Sequence, residues 1–398
     1  MELILFFLVV LVLIGALFKI PWIIFLATVL FVILLTAAIW KRYVLRDITY
    51  KRLIKYSKGF PGEVLHLDIQ LSNNKRLPVS WLLCEDTWPS TISPRDQLQL
   101  APSYVENKSY FVNSFGLNGF QTIKRSFLFT LPKRGVYRLG PLSFESSDLF
   151  GFFQVNTNQE NYDYITVYPE VFPLSKFNLK TDDPFGLAKS NRKIFDDPIM
   201  YASIRDYQSG DPMKNIHWKA TAKKNKLQVK NLQPISEKNI VLITNIQTAE
   251  KHWLGTNQDQ FEYLLSLSGS ILMDLISKGY AVGLLSNGCR SFSDQPVRIL
   301  PGKSNQQISL LLEALASITQ YTKEHNFGSF IFNNLSYLPY GSSIIIITNQ
   351  LSNQLMGSIE SLKEYRFQIS LVYTGTNFIQ QPEKIIFYHL PLNDYDQK

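Results

Sequence analysis

The chain has 398 residues, 45% of them hydrophobic and 18% charged, with a formal net charge of +8. That length suits two or three domains. Two cysteines far apart, Cys84 and Cys289, argue against a disulfide framework and read as small core hydrophobes. The basic excess clusters beside an apolar segment without a recognition motif, which argues against nucleic acid.

Residues Leu3 to Phe18 carry no charged side chain, nor do Pro21 to Trp40, and only Lys19-Ile20 separates them. Each run approaches the roughly 20 apolar residues a helix needs to cross about 30 Å of hydrocarbon. Pro21 cannot continue a helical hydrogen-bond ladder and favours a tight hairpin. Residues 1–40 are therefore expected to form two transmembrane helices. A cleaved signal peptide followed by one anchor competes with this, as does a single bent re-entrant segment. Against the signal peptide stand the lack of Lys or Arg before the first run and of a polar mature start after it. Residues 41–58 form a basic juxtamembrane segment with Lys41, Arg42, Arg46, Lys51, Arg52, Lys55 and Lys58, opposed only by Asp47. Such flanks stay cytoplasmic and favour anionic headgroups, so the bilayer is an expected partner and the body is expected to face the cytoplasm.

Residues 59–169 read as a β domain. VLHLDIQLSN (Val64 to Asn73) alternates with period two, and VSWLLCEDTW, KSYFVNSF, FQTIKRSFLFT, VYRLGPLSFESS and YDYITVYP continue the series. Turn residues between them suggest an antiparallel, immunoglobulin-like β-sandwich. Residues 170–203 are polar and irregular and read as a linker, with a turn at Thr181 to Gly186.

Residues 204–234 (the segment from IRDYQSGDPMKNIHWKATAKKNKLQVK onward) have readable local physics. Gly210 permits a sharp turn, Asp211 can cap a helix and Pro212 suits its first position. A helix is expected from Met213 to Ala222, then a strand alternating Leu227 and Val229. Residues 235–398 change period: NIVLITNI is a buried strand, Phe261 to Gly279 is helical with a glycine suited to a C-cap, and YAVGLLSN, SSIIIITN, QISLVYTG and KIIFYHL are strands. NQQISLLLEALASI and the stretch from Glu360 to Tyr365 are helical between them. This alternation implies βαβ units and a parallel sheet covered on both faces.

The chain resembles the DUF58 family at two places. The family pattern R-x-Y-x-x-G-D-x-x-[RK]-x-I-[HD]-W-[KR]-x-[ST]-A is met by Arg205, Tyr207, Gly210, Asp211, Lys214, Ile216, His217, Trp218, Lys219, Thr221 and Ala222, with Val229 and Lys230 on the following strand. Upstream, KRGVYRLGPLSFESSDLFGFF (Lys133 to Phe153) is similar to a second family motif, with Leu149 where proline is usual.

The resemblance implies a C-terminal α/β domain of the von Willebrand factor A-like, Rossmann-type class. Such domains often hold a divalent cation through D-x-S-x-S after the first strand. Here that stretch is degenerate, with Asn245 and Gln247 replacing ligands beside Thr248, so no metal or other cofactor is expected. The family's usual company implies a MoxR-type AAA+ ATPase and a transglutaminase-like membrane protein as partners.

The motif residues Arg205, Tyr207, Gly210, Asp211, Lys214, His217, Trp218 and Lys219 are expected to dock a partner or lock domains together rather than catalyse. Lys214, Lys219, Lys223, Lys224 and Lys226 form a run that is a solvated face or a surface for an acidic partner. Two alternatives remain: a metal-dependent binder of the von Willebrand A type, and an enzyme using Asp211 and His217 as an acid–base pair. Pro301-Gly302-Lys303-Ser304 lacks the preceding glycine of a phosphate loop, and no nucleophile elbow or H-E-x-x-H occurs.

Overall fold

The computed structural model describes residues 2–92, 94, 100–148, 151, 153–177, 185, 196–208, 211, 213–234, 239–249, 255–339, 342–364, 367–376 and 385–392. The chain divides into two compact units, Met1–Tyr168 and Pro169–Lys398.

The first unit opens with α1 (Glu2–Leu17) and α2 (Pro21–Tyr43), which pack on each other. Lys19 turns the chain with a left-handed φ of 54°, and Pro21 enters the first turn of α2, where its missing N–H costs nothing. At 1.5 Å per residue the 23 residues of α2 span about 35 Å and the 16 of α1 about 24 Å. Among the described residues, α2 is the one helix long and apolar enough to cross a membrane, and α1 is a shorter apolar helix.

Among the described residues, eleven strands follow: β1 (Ile48–Ile54), β2 (Lys58–Gly59), β3 (Val64–Asn73), β4 (Val79–Pro89), β5 (Leu100–Pro102), β6 (Lys108–Leu117), β7 (Thr122–Thr130), β8 (Gly135–Leu139), β9 (Leu142–Ser147), β10 (Gln154–Gln159) and β11 (Asp163–Val167). They form sheets in the orders β1-β3-β7, β10-β9-β4-β6-β5 and β2-β11-β8, antiparallel except for β2 with β11. The period-two pattern sends Leu65, Leu67, Ile69 and Leu71 inward. The expected single run VYRLGPLSFESS is two strands, because Gly140-Pro141 interrupts the ladder. The core is aromatic, with Trp88 stacked on Phe129 at 4.6 Å between ring centroids. Val44, just past α2, is buried in the same core, so the helix end is seated on the β body.

Two features refine the sequence reading. The basic cluster of residues 41–58 is split. Arg52 lies on β1 with its side chain fully buried, donating through Nε and Nη2 to Asp86 at 2.7 Å each and through Nη1 to Asp163 at 2.9 Å. The seven residues of β1 carry the chain about 23 Å onward, so Lys55 and Lys58 leave the helix end behind.

The upstream motif gains a physical reason at Gly140. Its φ of +96° suits glycine, and a Cβ there would press on the Asn161 carbonyl. That carbonyl also accepts from Arg52 Nη1 at 3.2 Å. Gly140→Ala is expected to cost about 1–3 kcal/mol from backbone strain alone, visible as a lowered thermal midpoint of this unit. Leu149, Phe150 and Phe152 of the same motif lie outside the described residues.

In the second unit the presumed linker contributes to the core. Phe172 and Phe185 are both buried; the Phe172 amide donates to Ser270 Oγ at 3.0 Å and the Phe185 carbonyl accepts from Ser370 at 3.1 Å. Apolar residues spaced too irregularly for any period were invisible as core. Of the turn expected at Thr181 to Gly186, only Phe185 lies within the described residues. The elements are β12 (Asp196–Asp206), α3 (Trp218–Lys224), β13 (Gln228–Pro234), β14 (Asn239–Thr244), α4 (Gln258–Ser277), β15 (Ala281–Arg290), β16 (Pro296–Gly302), α5 (Asn305–Ser317), β17 (Ile318–Thr322), α6 (Phe327–Asn333), β18 (Ser343–Thr348), α7 (Asn353–Glu364), β19 (Gln368–Tyr373) and β20 (Ile386–His389).

The main sheet runs β16-β15-β14-β18-β19-β20, with β17 on the far end of β15. Pairing is parallel except at β16 and β17. Alternate residues feed two cores: Ile240 and Leu242 pack with Leu264 and Leu311 of α4 and α5, while Val241 and Ile243 pack with Phe330 and Ile359 of α6 and α7. Helices on both faces explain why these strands read as unbroken apolar runs. Gly279 closes α4 with φ +81°, and Ser304 caps α5, accepting from the Gln307 amide at 3.2 Å. The lone phosphate-loop-like tetrapeptide thus serves as a strand end and a helix cap.

Candidate functional site

The segment 204–234 is built on the antiparallel pair β12 and β13, joined by a 3-10 turn at Met213–Asn215 and by α3. Ile216 does not belong to a helix. It forms an isolated bridge with Val229, and both are buried. That bridge breaks the helix expected from Met213 to Ala222, so α3 starts only at Trp218.

Its cap is His217 rather than Asp211. His217 Nδ1 accepts from the Ala220 amide at 3.1 Å, and its own amide donates to the Gln228 carbonyl at 2.8 Å. Asn225 ends the helix in a left-handed conformation, φ 50°.

Asp211 is committed elsewhere. Arg205 grips it with both terminal nitrogens, at 2.7 and 2.6 Å, and the Gln208 amide adds a bond at 2.9 Å. The Arg205 guanidinium, and then the Gln208 amide, hold the Asp211 carboxyl below its ordinary range. A carboxylate of this kind contributes stability above its unfolded pKa and loses it as pH falls through the depressed folded value. Asp211→Asn is therefore expected to leave the chain folded while amide exchange across residues 205–211 speeds up. Acidification below the usual carboxylate range is expected to reproduce that loosening in the wild type.

Tyr207 contributes a backbone bond to the Leu227 carbonyl at 2.9 Å. Gly210 and the side chain of Lys214 lie outside the described residues.

The strand after α3 is shifted from the expected alternation. Leu227 is exposed, whereas Gln228 is fully buried and Val229 nearly so. Gln228 receives no signal in the sequence, yet it ties the segment together. Its amide donates to Thr221 Oγ1 at 3.0 Å and its side chain to Asp206 at 2.5 Å. With these groups turned inward, the outer surface is left to Trp218 and Met213, each 66% exposed, and to Lys219, Lys223 and Lys226. The segment thus exposes a flat indole, an alkyl thioether and several cations, chemistry suited to an acidic protein patch with an apolar centre.

The degenerate metal stretch lies at the C-terminal end of β14. Asn245 is buried, its carboxamide nitrogen donating to Thr348 at 3.1 Å and its oxygen accepting from Asn287 at 2.9 Å and from the Gln247 amide at 3.2 Å. Gln247 donates to the His325 carbonyl at 2.7 Å, and Thr248 Oγ1 accepts from the Asn257 amide at 2.8 Å. These side chains are neutral and already committed to hydrogen bonds within the protein, so they do not fit a dication. Among the described residues no group of three or more His, Cys, Asp or Glu is placed to hold a metal. Beside them opens a cavity of about 170 Å³ whose lining includes Gln247, Thr248, Tyr321 and His325. Both cysteines are free and buried.

Comparison with known proteins agrees with the motif. Residues 203–362 match the family described as "Protein of unknown function DUF58". The chain is 24% identical over 273 residues to the "Uncharacterized protein YeaD" of Bacillus subtilis (strain 168), covering 68% of this chain and 63% of that protein. The match thus spans less than two thirds of the curated relative. Among solved structures, the CARDB domain of a Pyrococcus furiosus protein in complex with di-metal ions aligns over 30% of this chain and 92% of that one, with 14% identity and a TM-score of 0.21. Native alpha-2-macroglobulin from Escherichia coli aligns over 31% of this chain and 24% of that one, with 14% identity and a TM-score of 0.24. Neither structural likeness carries an argument about fold or function. Over residues 203–362, the chain is similar to the DUF58 family.

Proposed function

We propose that this chain is a membrane-tethered, non-enzymatic adaptor that docks a partner on the surface around Trp218. The single observation behind this is the division within the segment 204–234. Its reactive-looking groups, Asp211 and His217, are bonded to their own scaffold, while its indole and lysines face outward. The partner classes this reading takes are a MoxR-type AAA+ ATPase and a transglutaminase-like membrane protein.

In this reading the first unit is an immunoglobulin-like sandwich and the second is von Willebrand A-like. Supporting the latter is the strand order, 3-2-1-4-5-6 counted from β14, with an antiparallel edge strand. In the membrane, α2 spans and α1 returns as a second pass, its short length met by local thinning of the bilayer. Lys41 and Arg42 in the last turn of α2 favour a cytoplasmic body.

The test is co-purification of the full chain from gently solubilised membranes with the MoxR-type ATPase. Retention that is lost on Trp218→Ala supports docking; absence of the ATPase in every nucleotide state overturns it. Topology is read separately, with an impermeant thiol reagent on Tyr104→Cys in intact and in permeabilised cells. Tyr104 is fully exposed, whereas the native cysteines are buried.

A further inference from the structure

Four segments of the first unit meet at the end where α2 leaves off. The register sets Ile48, the first residue of β1, opposite Asn73, the last of β3. It sets Val79, at the start of β4, opposite Leu117, at the end of β6. The tips 73–78 and 118–121 therefore lie at the same end as Tyr43, and so does Phe153, over whose ring Lys41 Nζ sits 5.2 Å from the centroid.

Hydrogen bonds knit these tips to the helix exit. Lys75 Nζ donates to the Arg46 carbonyl at 2.7 Å, the Asn74 amide to the Asp47 carbonyl at 3.0 Å, and Asn73 to the Asn118 carbonyl at 2.9 Å. The Phe120 amide donates to the Lys75 carbonyl at 3.0 Å.

Phe120 is the unusual residue in this platform. It adopts a left-handed φ of 56°, costly for a bulky side chain, and presents its ring 67% exposed. A turn that needs only the backbone conformation is better served by Gly or Asn. Beside it in the chain's folded course lie Lys75 and Arg76, and Lys75 links to Arg46, whose guanidinium faces the exposed carboxylate of Asp47; Lys41 and Arg42 lie in the last turn of α2 just before.

We propose that this end of the β body is a second membrane contact, in which Phe120 enters the headgroup region of the bilayer that α2 crosses and the surrounding cations engage acidic lipid headgroups. The inference rests on the membrane-tethered reading above and adds to it a surface that the linear sequence does not assemble. Burial pushes the Lys75 ammonium down to about 8, which leaves it mostly charged at neutral pH. Basic side chains are usual at a membrane–water interface, and an apolar ring such as phenylalanine is favourable buried at the boundary of headgroups and acyl chains. The contact would fix the body against the bilayer rather than leave it to swing on the helix.

The experiment uses the full chain in nanodiscs, spin-labelled one site at a time at Leu30→Cys, Phe120→Cys and Tyr104→Cys. Collision with oxygen and with a water-soluble nickel chelate reports depth. Tyr104 lies beyond β5, at the end of the body remote from Phe120. The expected result is a Leu30 label in hydrocarbon, a Phe120 label that loses collision with the nickel chelate, and a Tyr104 label open to it. The loss at Phe120 is expected to be greater with phosphatidylglycerol than with phosphatidylcholine alone. A buried Leu30 label with Phe120 as open to nickel as Tyr104 overturns this inference and leaves the anchor standing. Equal shielding of Phe120 in both lipids overturns the assignment to acidic headgroups. A Leu30 label in water overturns the anchor itself, and this contact with it.

Discussion

Asp86→Ala is expected to destabilise the first unit by about 3–5 kcal/mol, the usual result of leaving a buried charge without its partner. Arg52 has no exposed side-chain surface, and Asp86 meets it with both oxygens. Burial opposes the Arg52 charge, but its bonds to Asp86 and Asp163 more than offset this, and its pKa is raised. Tyr50 adds a hydroxyl bond to Asp86 at 3.3 Å. After the substitution the guanidinium keeps only Asp163, which is partly solvated, and the Asn161 carbonyl. The check is a urea titration followed by tryptophan fluorescence, since Trp88 lies in this core. The double variant Arg52→Met with Asp86→Leu is expected to recover much of the loss, because an apolar pair of similar volume removes the stranded charge. A single-variant midpoint equal to wild type would show that water reaches the pair.

Trp218→Ala is expected to weaken partner binding by about 2 kcal/mol or more, roughly thirtyfold, if the indole is the anchor of the interface. Stability should not follow, because the ring is 66% exposed and the helix cap and the buried Gln228 are untouched. Binding of purified full-length protein to the proposed MoxR-type ATPase by calorimetry separates the two effects. Lys219→Glu together with Lys223→Glu is expected to act differently, slowing association and flattening its salt dependence more than it speeds dissociation. Loss of binding in the lysine variant with none in Trp218→Ala would move the interface off the indole.

Much of the architecture was legible because it depends on local period. The alternation of Val64 to Asn73, the unbroken apolar run of Ser343 to Thr348 and the helical spacing of α4 each report how many faces an element buries, and burial repeats with the element's own geometry. Length and the absence of charge marked α2 in the same way. The motif residues could be picked out as a set, because their order along the chain carries the family resemblance.

Their roles could not, because those depend on partners distant in sequence or on competition between local options. Asp211 and His217 both had the chemistry to cap a helix. The bridge between Ile216 and Val229 decided for His217 by ending the 3-10 turn before α3 begins. Arg52 read as one more basic residue beside the membrane until folding brought Asp86, 34 residues onward, against it. Phe172 and Phe185 lay in a stretch without period and became core only when the sheet and α4 supplied a surface to cover. Phe120 is an ordinary aromatic in the sequence; strand register alone set it beside the helix exit with Arg46 and Lys75. The sequence by itself determined most of the elements and the long apolar helix α2, since both follow from the local arrangement of apolar side chains. The tertiary structure decided which charges are buried, which residue caps α3 and what faces outward, since those outcomes depend on distances that no local pattern encodes.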